Sequence, residues 1–298
     1  MATLPWLREA TLGHLDPVLL AILDVPLFVL ASAAAAGGSR VAVVIATGWT
    51  CLVAAGMVVY ATATGLAGWG ALAMIAAACG SGAAAGLATL GRVPVDRLLR
   101  GPLAFRAARP RAGALRHLAL TAAQTVCFWG LFLAVIPPAV ALIERRWGLD
   151  AAFAPVATPM GLALLLLASG LGLWAAWSIA TRGDGTPLPS AMPNRLVVAG
   201  PYRLVRNPMA VAGILQGVAV GLLLSSWLTV TYALCGAVLW HVFVRPLEES
   251  DLEARFGDEY RHYRSAVRCW WPVWRRRPAR LTSARADRGA DETSVSAL

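Results

Sequence analysis

The sequence predicts an all-α protein that crosses a membrane about seven times and carries an interfacial amphipathic helix near its C-terminus. Hydrophobic residues make up 58% of the 298 positions, which is more than ordinary soluble domains carry. Several apolar stretches reach the roughly 20 residues that a helix needs to cross a bilayer. Most arginines lie between these stretches rather than inside them. Together these observations indicate a polytopic integral membrane protein.

Seven apolar stretches are long enough to be considered as spans. We place them at about 18–36, 41–62, 67–90, 118–143, 158–180, 208–225 and 227–247. The third stretch is rich in Gly and Ala, which permit close helix contacts in lipid. Pro137–Pro138 predicts a bend in the fourth, because proline removes backbone donors. Asp24 in the first span is equally consistent with a functional acid and with one that reaches interfacial water.

The segment 248–267 has the pattern of a helix that lies along the membrane surface. Its apolar residues recur every three or four positions. They are Leu252, Phe256, Tyr260, Tyr263 and Val267. Charged residues occupy the opposite face, and Trp270, Trp271 and Trp274 follow as expected interfacial anchors. Such a helix would cover the ends of the last two spans.

The distribution of arginine predicts the orientation in the membrane. Segment 91–116 carries seven arginines, segment 181–206 carries four, and ten follow position 247. The positive-inside rule places all three on the cytoplasmic side. We therefore expect a protein of the cell (inner) membrane. With seven spans, its N-terminus lies outside and its C-terminus lies in the cytoplasm. We attribute the net charge of +10 to this topology and to anionic lipid, and expect no nucleic-acid partner.

The chain divides into four predicted regions. These are an N-terminal three-helix block at 1–90, an Arg-rich cytoplasmic linker at 91–116, a four-helix membrane domain at 117–274 and a disordered tail at 275–298. The five cysteines lack metal-ligand spacing, so no metal site is expected.

A row of polar residues marks the end of the last span. His241, Arg245, Glu248 and Glu249 are spaced so that they fall on one helix face. A second polar group, which includes Arg203, Arg206 and Asn207, precedes the sixth span at Pro208. The row either stabilises the helix end through ion pairs or lines a pocket, and four polar residues on one face favour the pocket. Unpaired N–H groups at the start of the sixth span could bind an anion.

Two motifs at this membrane boundary resemble a known enzyme family. GPYRLVRNPM, from Gly200, and R-P-L-E-E-x-x-L-x-x-x-F-G-x-x-Y-x-x-Y, from Arg245, are similar to motifs of isoprenylcysteine carboxyl methyltransferases. That superfamily also contains phospholipid methyltransferases. The resemblance covers roughly 117–274. Asn207 and Ala210 depart from the usual His and Tyr, and such departures are frequent in bacterial-type members.

The resemblance implies methyl transfer from S-adenosylmethionine to a lipid or other apolar acceptor inside a helical membrane fold. It implies two walls for the cofactor, formed by residues that match the motifs. The cofactor-binding residues would be Tyr202, Arg206, Asn207, Pro208, His241 and Glu249. Arg245 and Glu248 would act in catalysis through positioning and electrostatics. On this hypothesis Arg206 and Glu248 converge on the cofactor.

Two alternatives remain open from the sequence. One is an NADPH-dependent oxidoreductase of the sterol-reductase type, although Met209–Ala212 lacks the Asn-Tyr pair and acid of that pattern. The other is a catalytically inactive membrane scaffold, suggested by Ala210. The sequence does not identify the acceptor, the role of the first three spans or the oligomeric state.

Overall fold

A computed structural model describes residues 5–93, 114–186 and 192–272 as a bundle of helices. Within these ranges the helices run as follows. They are α1 (Pro5–Leu12), α2 (Pro17–Asp24), α3 (Ala31–Ala36), α4 (Arg40–Thr64), α5 (Gly68–Leu90), α6 (Ala114–Trp129), α7 (Ile136–Arg146), α8 (Ala157–Arg182), α9 (Pro208–Leu223), α10 (Trp227–Leu239) and α11 (Arg245–Ala266). A short 3-10 turn at Gly200–Arg203 precedes α9.

The described helices confirm the polytopic all-α prediction. Six helical stretches are long and apolar enough to cross a membrane, and the shorter apolar helix Pro208–Leu223 accounts for the remaining predicted span. Many large apolar side chains on these helices are exposed, for example Leu167 at 74% and Val126 at 71%. Exposure on this scale is expected of surfaces that face lipid.

Within the described residues, three wider, π-helical turns interrupt the spans, and each contains a proline or ends two residues before one. Val25–Leu30 joins α2 to α3, Gly130–Val135 joins α6 to α7, and Trp240–Val244 joins α10 to α11. A proline cannot donate to the preceding turn, and its ring needs room there. The extra residue of a π-turn supplies that room while the helix continues. The irregularity predicted at Pro137–Pro138 therefore takes this form.

One end of the bundle is held together by contacts between α4, α5, α7 and α10. The Arg146 guanidinium donates to the carbonyl oxygens of Thr62, at 2.7 Å, and of Ala63 at the end of α4. The Trp147 indole donates to the Thr62 hydroxyl at 3.1 Å. Trp69 stacks on Trp227 with 5.7 Å between ring centroids. These contacts fix the first three spans against the later ones.

Glu144 at this same end is fully buried and serves as a helix cap. Its carboxylate accepts hydrogen bonds from the Ser226 hydroxyl and from the N–H groups of Trp227 and Leu228, both at 3.2 Å. The first N–H groups of a helix have no partner within the helix. A carboxylate from α7 supplies that partner for α10 and favours the positive end of its dipole.

Asp24 has a structural partner. The Trp49 indole N–H of α4 donates to its carboxylate at 2.6 Å. A part-buried polar contact of this kind offsets the cost of an acid within a span. The sequence left open a functional acid and one that reaches interfacial water, and the structure adds this structural partner.

The opposite end of the bundle carries the segments that surround the candidate site. Residues 192–207 and 245–272 meet there. The predicted interfacial helix differs from α11 in one respect, because Gly257 has φ +52° and ψ −124° and breaks it into two parts. The five apolar positions therefore cannot form one continuous face, and Tyr260 and Tyr263 are buried.

Several predicted features lie beyond the described residues. They include most of the linker 91–116, the tail 275–298 and Trp274. Of the expected aromatic anchors, Trp271 is 73% exposed. Trp270 contacts Trp240 and His241, just beyond the end of α10. The role of both residues as interfacial anchors stays a prediction.

Candidate active site

The first wall of the site is the turn before α9. Gly200 has φ +62°, and a Cβ at this position would lie 2.5 Å from the Ser178 hydroxyl oxygen of α8. Only glycine therefore lets the turn lie this close to α8. Tyr202 follows and is buried in a cluster with Ala175 and Ile179 of the same helix. This packing fixes the backbone from which Arg206 projects.

The second wall of the site is α11. It meets the first wall at a shared ion pair, in which two arginines contact one carboxylate. Glu249 of α11 lies 3.3 Å from Arg206 and 3.7 Å from Arg245, measured from its Oε1 atom to a guanidinium nitrogen. The Arg206 side chain is 10% exposed and that of Glu249 is 16% exposed. Nε and Nη1 of Arg206 are buried and have no hydrogen-bond partner. A guanidinium this well buried thus keeps two of its three nitrogens without a partner.

The sequence predicted that Arg206 and Glu248 converge on the cofactor, and this stays a prediction. In the structure Arg206 pairs with Glu249, the neighbour of Glu248, while Glu248 acts electrostatically on the Tyr202 phenol. Burial raises the pKa of Glu248 from 4.5 to about 7, and the negative charges of Glu249 and Asp251 add to this shift. Arg255 lowers the same pKa. Glu248 is therefore a carboxyl group that can change charge near neutral pH.

The break at Gly257 brings the second part of α11 back onto the first wall. The Tyr263 hydroxyl donates to the Tyr202 carbonyl oxygen at 2.7 Å. Burial raises the pKa of Tyr263 and of Tyr260, and Arg206 acts in the opposite direction on both. Both phenols consequently remain protonated and neutral beside the shared ion pair.

The segment after α11 contacts the other predicted cofactor residues. The Asn207 amide donates to Cys269 Sγ at 3.5 Å, and the Arg206 backbone N–H donates to the Arg268 carbonyl oxygen at 3.0 Å. The Trp270 indole donates to His241 Nδ1 at 2.9 Å. Pro208, also predicted, is buried at the first turn of α9. The structure thus gathers all eight predicted residues at one end of the bundle.

A cavity of about 380 Å³ opens beside the shared ion pair. It is lined by Pro246, Glu249, Ser250, Glu253, Ala254 and Arg264. Arg264 is held by Glu253 at 2.8 Å across the break in α11. Sequence reasoning missed Ser250, Glu253 and Arg264, because a continuous helix would not enclose a cavity between its own turns. The feature of the sequence that could have indicated this break was Gly257, a glycine within an otherwise regular helical pattern.

Residues 156–259 match the phospholipid methyltransferase family. The match confirms the resemblance, and it indicates a membrane methyltransferase. No curated protein matches the chain. The family segment begins just before α8 and ends within α11. It therefore includes Arg206, Arg245, Glu248 and Glu249.

The geometry of this matched segment suits a ligand that carries charges of both signs. Nε and Nη1 of Arg206 carry N–H donors without a partner, and either could donate to an anion. Glu249 and Glu253 offer carboxylates to a cation or to hydroxyl groups on the cavity side. An amino-acid group, a sulfonium and a ribose diol in one ligand would complement these three features.

Proposed function

We propose that the protein is an S-adenosylmethionine-dependent methyltransferase that acts on a lipid or another apolar acceptor. The cofactor would bind between the turn at Gly200–Pro208 and α11, at the cytoplasmic side of the membrane. The observation that carries the proposal is the Arg206 guanidinium. It is nine-tenths buried and holds two hydrogen-bond donors without a partner. A buried donor without a partner is costly, which favours an anionic ligand beside this guanidinium.

The residues present fit the proposed cofactor. Arg206 would hold its carboxylate, and Glu249, already shared by Arg206 and Arg245, would face the cation. Glu253 and Ser250 line the cavity where ribose hydroxyl groups would find acceptors. When bound, S-adenosylmethionine supplies an electrophilic methyl group on its sulfonium.

The protein's contribution would be alignment and exclusion of water. Methyl transfer is an in-line displacement, so it needs an oriented acceptor and a dry site rather than a general acid. Arg245 would fix the Glu249 carboxylate, and Glu248 would provide negative charge beside the positive charge that develops on an amine acceptor as the sulfonium becomes a neutral thioether. Tyr260 and Tyr263, both buried beside the shared ion pair, would help to exclude water.

The acceptor class follows from the surroundings of the site. The helices that carry it expose apolar side chains on their outer faces, for example Leu234 at 52% and Val238 at 62% on α10. An acceptor dissolved in the bilayer can approach along such surfaces without crossing water. This supports a lipid or similarly apolar molecule over a water-soluble one.

Calorimetry on the full-length protein in detergent tests the cofactor. Wild type should bind S-adenosylmethionine and its demethylated product. Arg206→Gln should weaken binding by about 100-fold, the effect expected for a buried charge-assisted contact. Arg203→Gln is the matched control, since Arg203 is an exposed arginine on the same turn. Binding of NADPH without binding of S-adenosylmethionine would support the reductase alternative instead.

Transfer of a radiolabelled methyl group to extracted membrane lipids tests the acceptor. We expect label in a lipid fraction with wild type and little with Arg245→Gln or Glu248→Gln. Cofactor binding without transfer to any lipid would favour the inactive scaffold or a different acceptor.

A further inference from the structure

The four residues after α11 return to the site and tie its two walls together. Arg268 accepts from the Arg206 backbone, Cys269 accepts from the Asn207 side chain, and Trp270 donates to His241. The first two contacts involve the start of α9, and the third involves the end of α10. This segment, Val267–Trp270, therefore spans both groups of predicted cofactor residues.

The contact between Trp270 and His241 carries specific chemical information. The indole Nε1–H of Trp270 lies 2.9 Å from His241 Nδ1. An indole nitrogen can only donate a hydrogen bond, so Nδ1 must hold a lone pair. In a neutral imidazole the single proton then resides on Nε2. Trp270 consequently selects one of the two tautomers of His241.

The orientation of the Trp270 ring is itself fixed. Trp240 meets it edge to face, with 5.3 Å between ring centroids. The His241 ring lies tilted at 5.7 Å from the same indole. Simple packing would not need the indole N–H to face Nδ1, and the adjacent Trp271 is 73% exposed. Of the adjacent tryptophans Trp270 and Trp271, the arrangement thus directs Trp270 to the Nδ1 atom of His241.

We propose that Trp270 is a positioning residue that holds His241 as its Nε2–H tautomer, so that His241 donates a hydrogen bond to the cofactor. The inference rests on the proposed function, because it assigns a role within the same site. Arg245 Nε donates to the His241 carbonyl oxygen at 3.4 Å, which places His241 beside the cofactor wall that carries Arg245 and Glu249. A donor at this position suits an oxygen or ring nitrogen of S-adenosylmethionine. His241 is then not the base that removes a proton from the acceptor.

Substitutions that mimic one ring nitrogen separate the two tautomers. A glutamine amide occupies the place of Nε2–H, whereas an asparagine amide occupies the place of Nδ1. His241→Gln should therefore keep the cofactor dissociation constant within about threefold of wild type, and His241→Asn should raise it by about tenfold. The reverse order would overturn the proposal, since it would show that Nδ1 provides the essential contact.

Nitrogen-15 NMR of the imidazole groups reports the tautomer directly. The chain has four histidines, so His241 can be assigned by substitution. At pH 8 the wild-type protein should show a protonated Nε2 and a Nδ1 lone pair. Trp270→Phe should give a mixture of tautomers and raise the cofactor dissociation constant by about fivefold. Trp271→Phe is the matched control and should change neither quantity.

These measurements separate the tautomer from the cofactor assignment. An Nδ1–H signature in wild type, or a Trp270→Phe protein unchanged in both readouts, would overturn the inference. An Nε2–H signature in a wild-type protein that binds no S-adenosylmethionine would uphold the selection of the tautomer by Trp270 and refute the proposed function together with the donor role.

Discussion

The Tyr263 hydroxyl donates to the Tyr202 carbonyl oxygen at 2.7 Å, which joins the second part of α11 to the turn that carries Arg206. Both side chains are buried, with 7% and 8% exposure. Burial raises the pKa of each phenol, so the Tyr263 hydroxyl keeps its proton for this bond. The position of Arg206 therefore depends on a segment more than fifty residues away in the chain.

Tyr263→Phe should loosen this connection without removing the ring. We expect a loss of about 1 kcal/mol in stability, the usual net value of one hydrogen bond. We also expect a threefold to tenfold weaker binding of S-adenosylmethionine, because the Arg206 wall becomes less rigid. Thermal unfolding and calorimetry measure the two effects. Binding equal to that of wild type would show that this bond does not position the site.

Gly257→Ala tests whether the break in α11 shapes the cavity. The backbone at φ +52° and ψ −124° is disfavoured for residues with a Cβ, although no atom lies within 4 Å of the place that the Cβ would take. We expect a cost of about 1–3 kcal/mol from backbone strain and a clear loss of cofactor binding. Gly236→Ala is the control, because it lies inside α10 with open space around it. That change should be neutral or slightly stabilising. Equal effects of the two substitutions would remove the special role of Gly257.

The pKa of Glu248 predicts how cofactor binding depends on pH. The free protein holds a proton on Glu248 below about pH 7, because burial is the main cause of the raised pKa. A bound sulfonium would favour the ionised carboxylate. Binding should thus strengthen as pH rises from 6 to 8 and release a proton in the lower part of this range. Calorimetry in buffers of different ionisation enthalpy measures that proton.

Glu248→Gln is the control for this pH dependence. The glutamine protein should bind the cofactor with little change between pH 6 and 8. The same substitution should also remove a pH-dependent loss of stability. The unfolded chain ionises near 4.5, so the carboxyl destabilises the fold progressively as pH rises from 4.5 to about 7. At pH 8 the glutamine protein should be more stable by roughly 1–2 kcal/mol, a value reduced for partial exposure. A wild-type affinity that does not vary with pH would contradict the role of Glu248.

The sequence predicted the spans and the membership of the site better than it predicted contacts within the site. Spans follow from long apolar runs, which the chain shows clearly. The partner of Arg206 depends on the helix register, and the π-turn Trp240–Val244 adds one residue to a turn just before α11. The cavity depends on the backbone angles of Gly257, which periodicity alone does not reveal. Periodicity alone therefore does not reveal which of two adjacent residues, Glu248 or Glu249, pairs with Arg206.

Glu144 allows stability to be separated from function, because it lies at the end of the bundle opposite the candidate site. Glu144→Gln would replace one carboxylate oxygen by an amide that cannot accept a hydrogen bond. The Ser226 hydroxyl and the N–H groups of Trp227 and Leu228 would then compete for one acceptor. We expect a loss of about 1–3 kcal/mol, since a buried donor would lack a partner.

The dissociation constant for S-adenosylmethionine should not change in the Glu144→Gln protein below its melting temperature. Asp150→Asn is the control, because Asp150 is an exposed acid in the loop that follows α7 and should affect neither quantity. Thermal unfolding in detergent and calorimetry distinguish the outcomes. Weaker cofactor binding in Glu144→Gln, measured well below the transition, would mean that the two ends of the bundle are energetically coupled. In that case the cap of α10 would act on the opposite end of the same helix, where Trp240 and His241 meet Trp270.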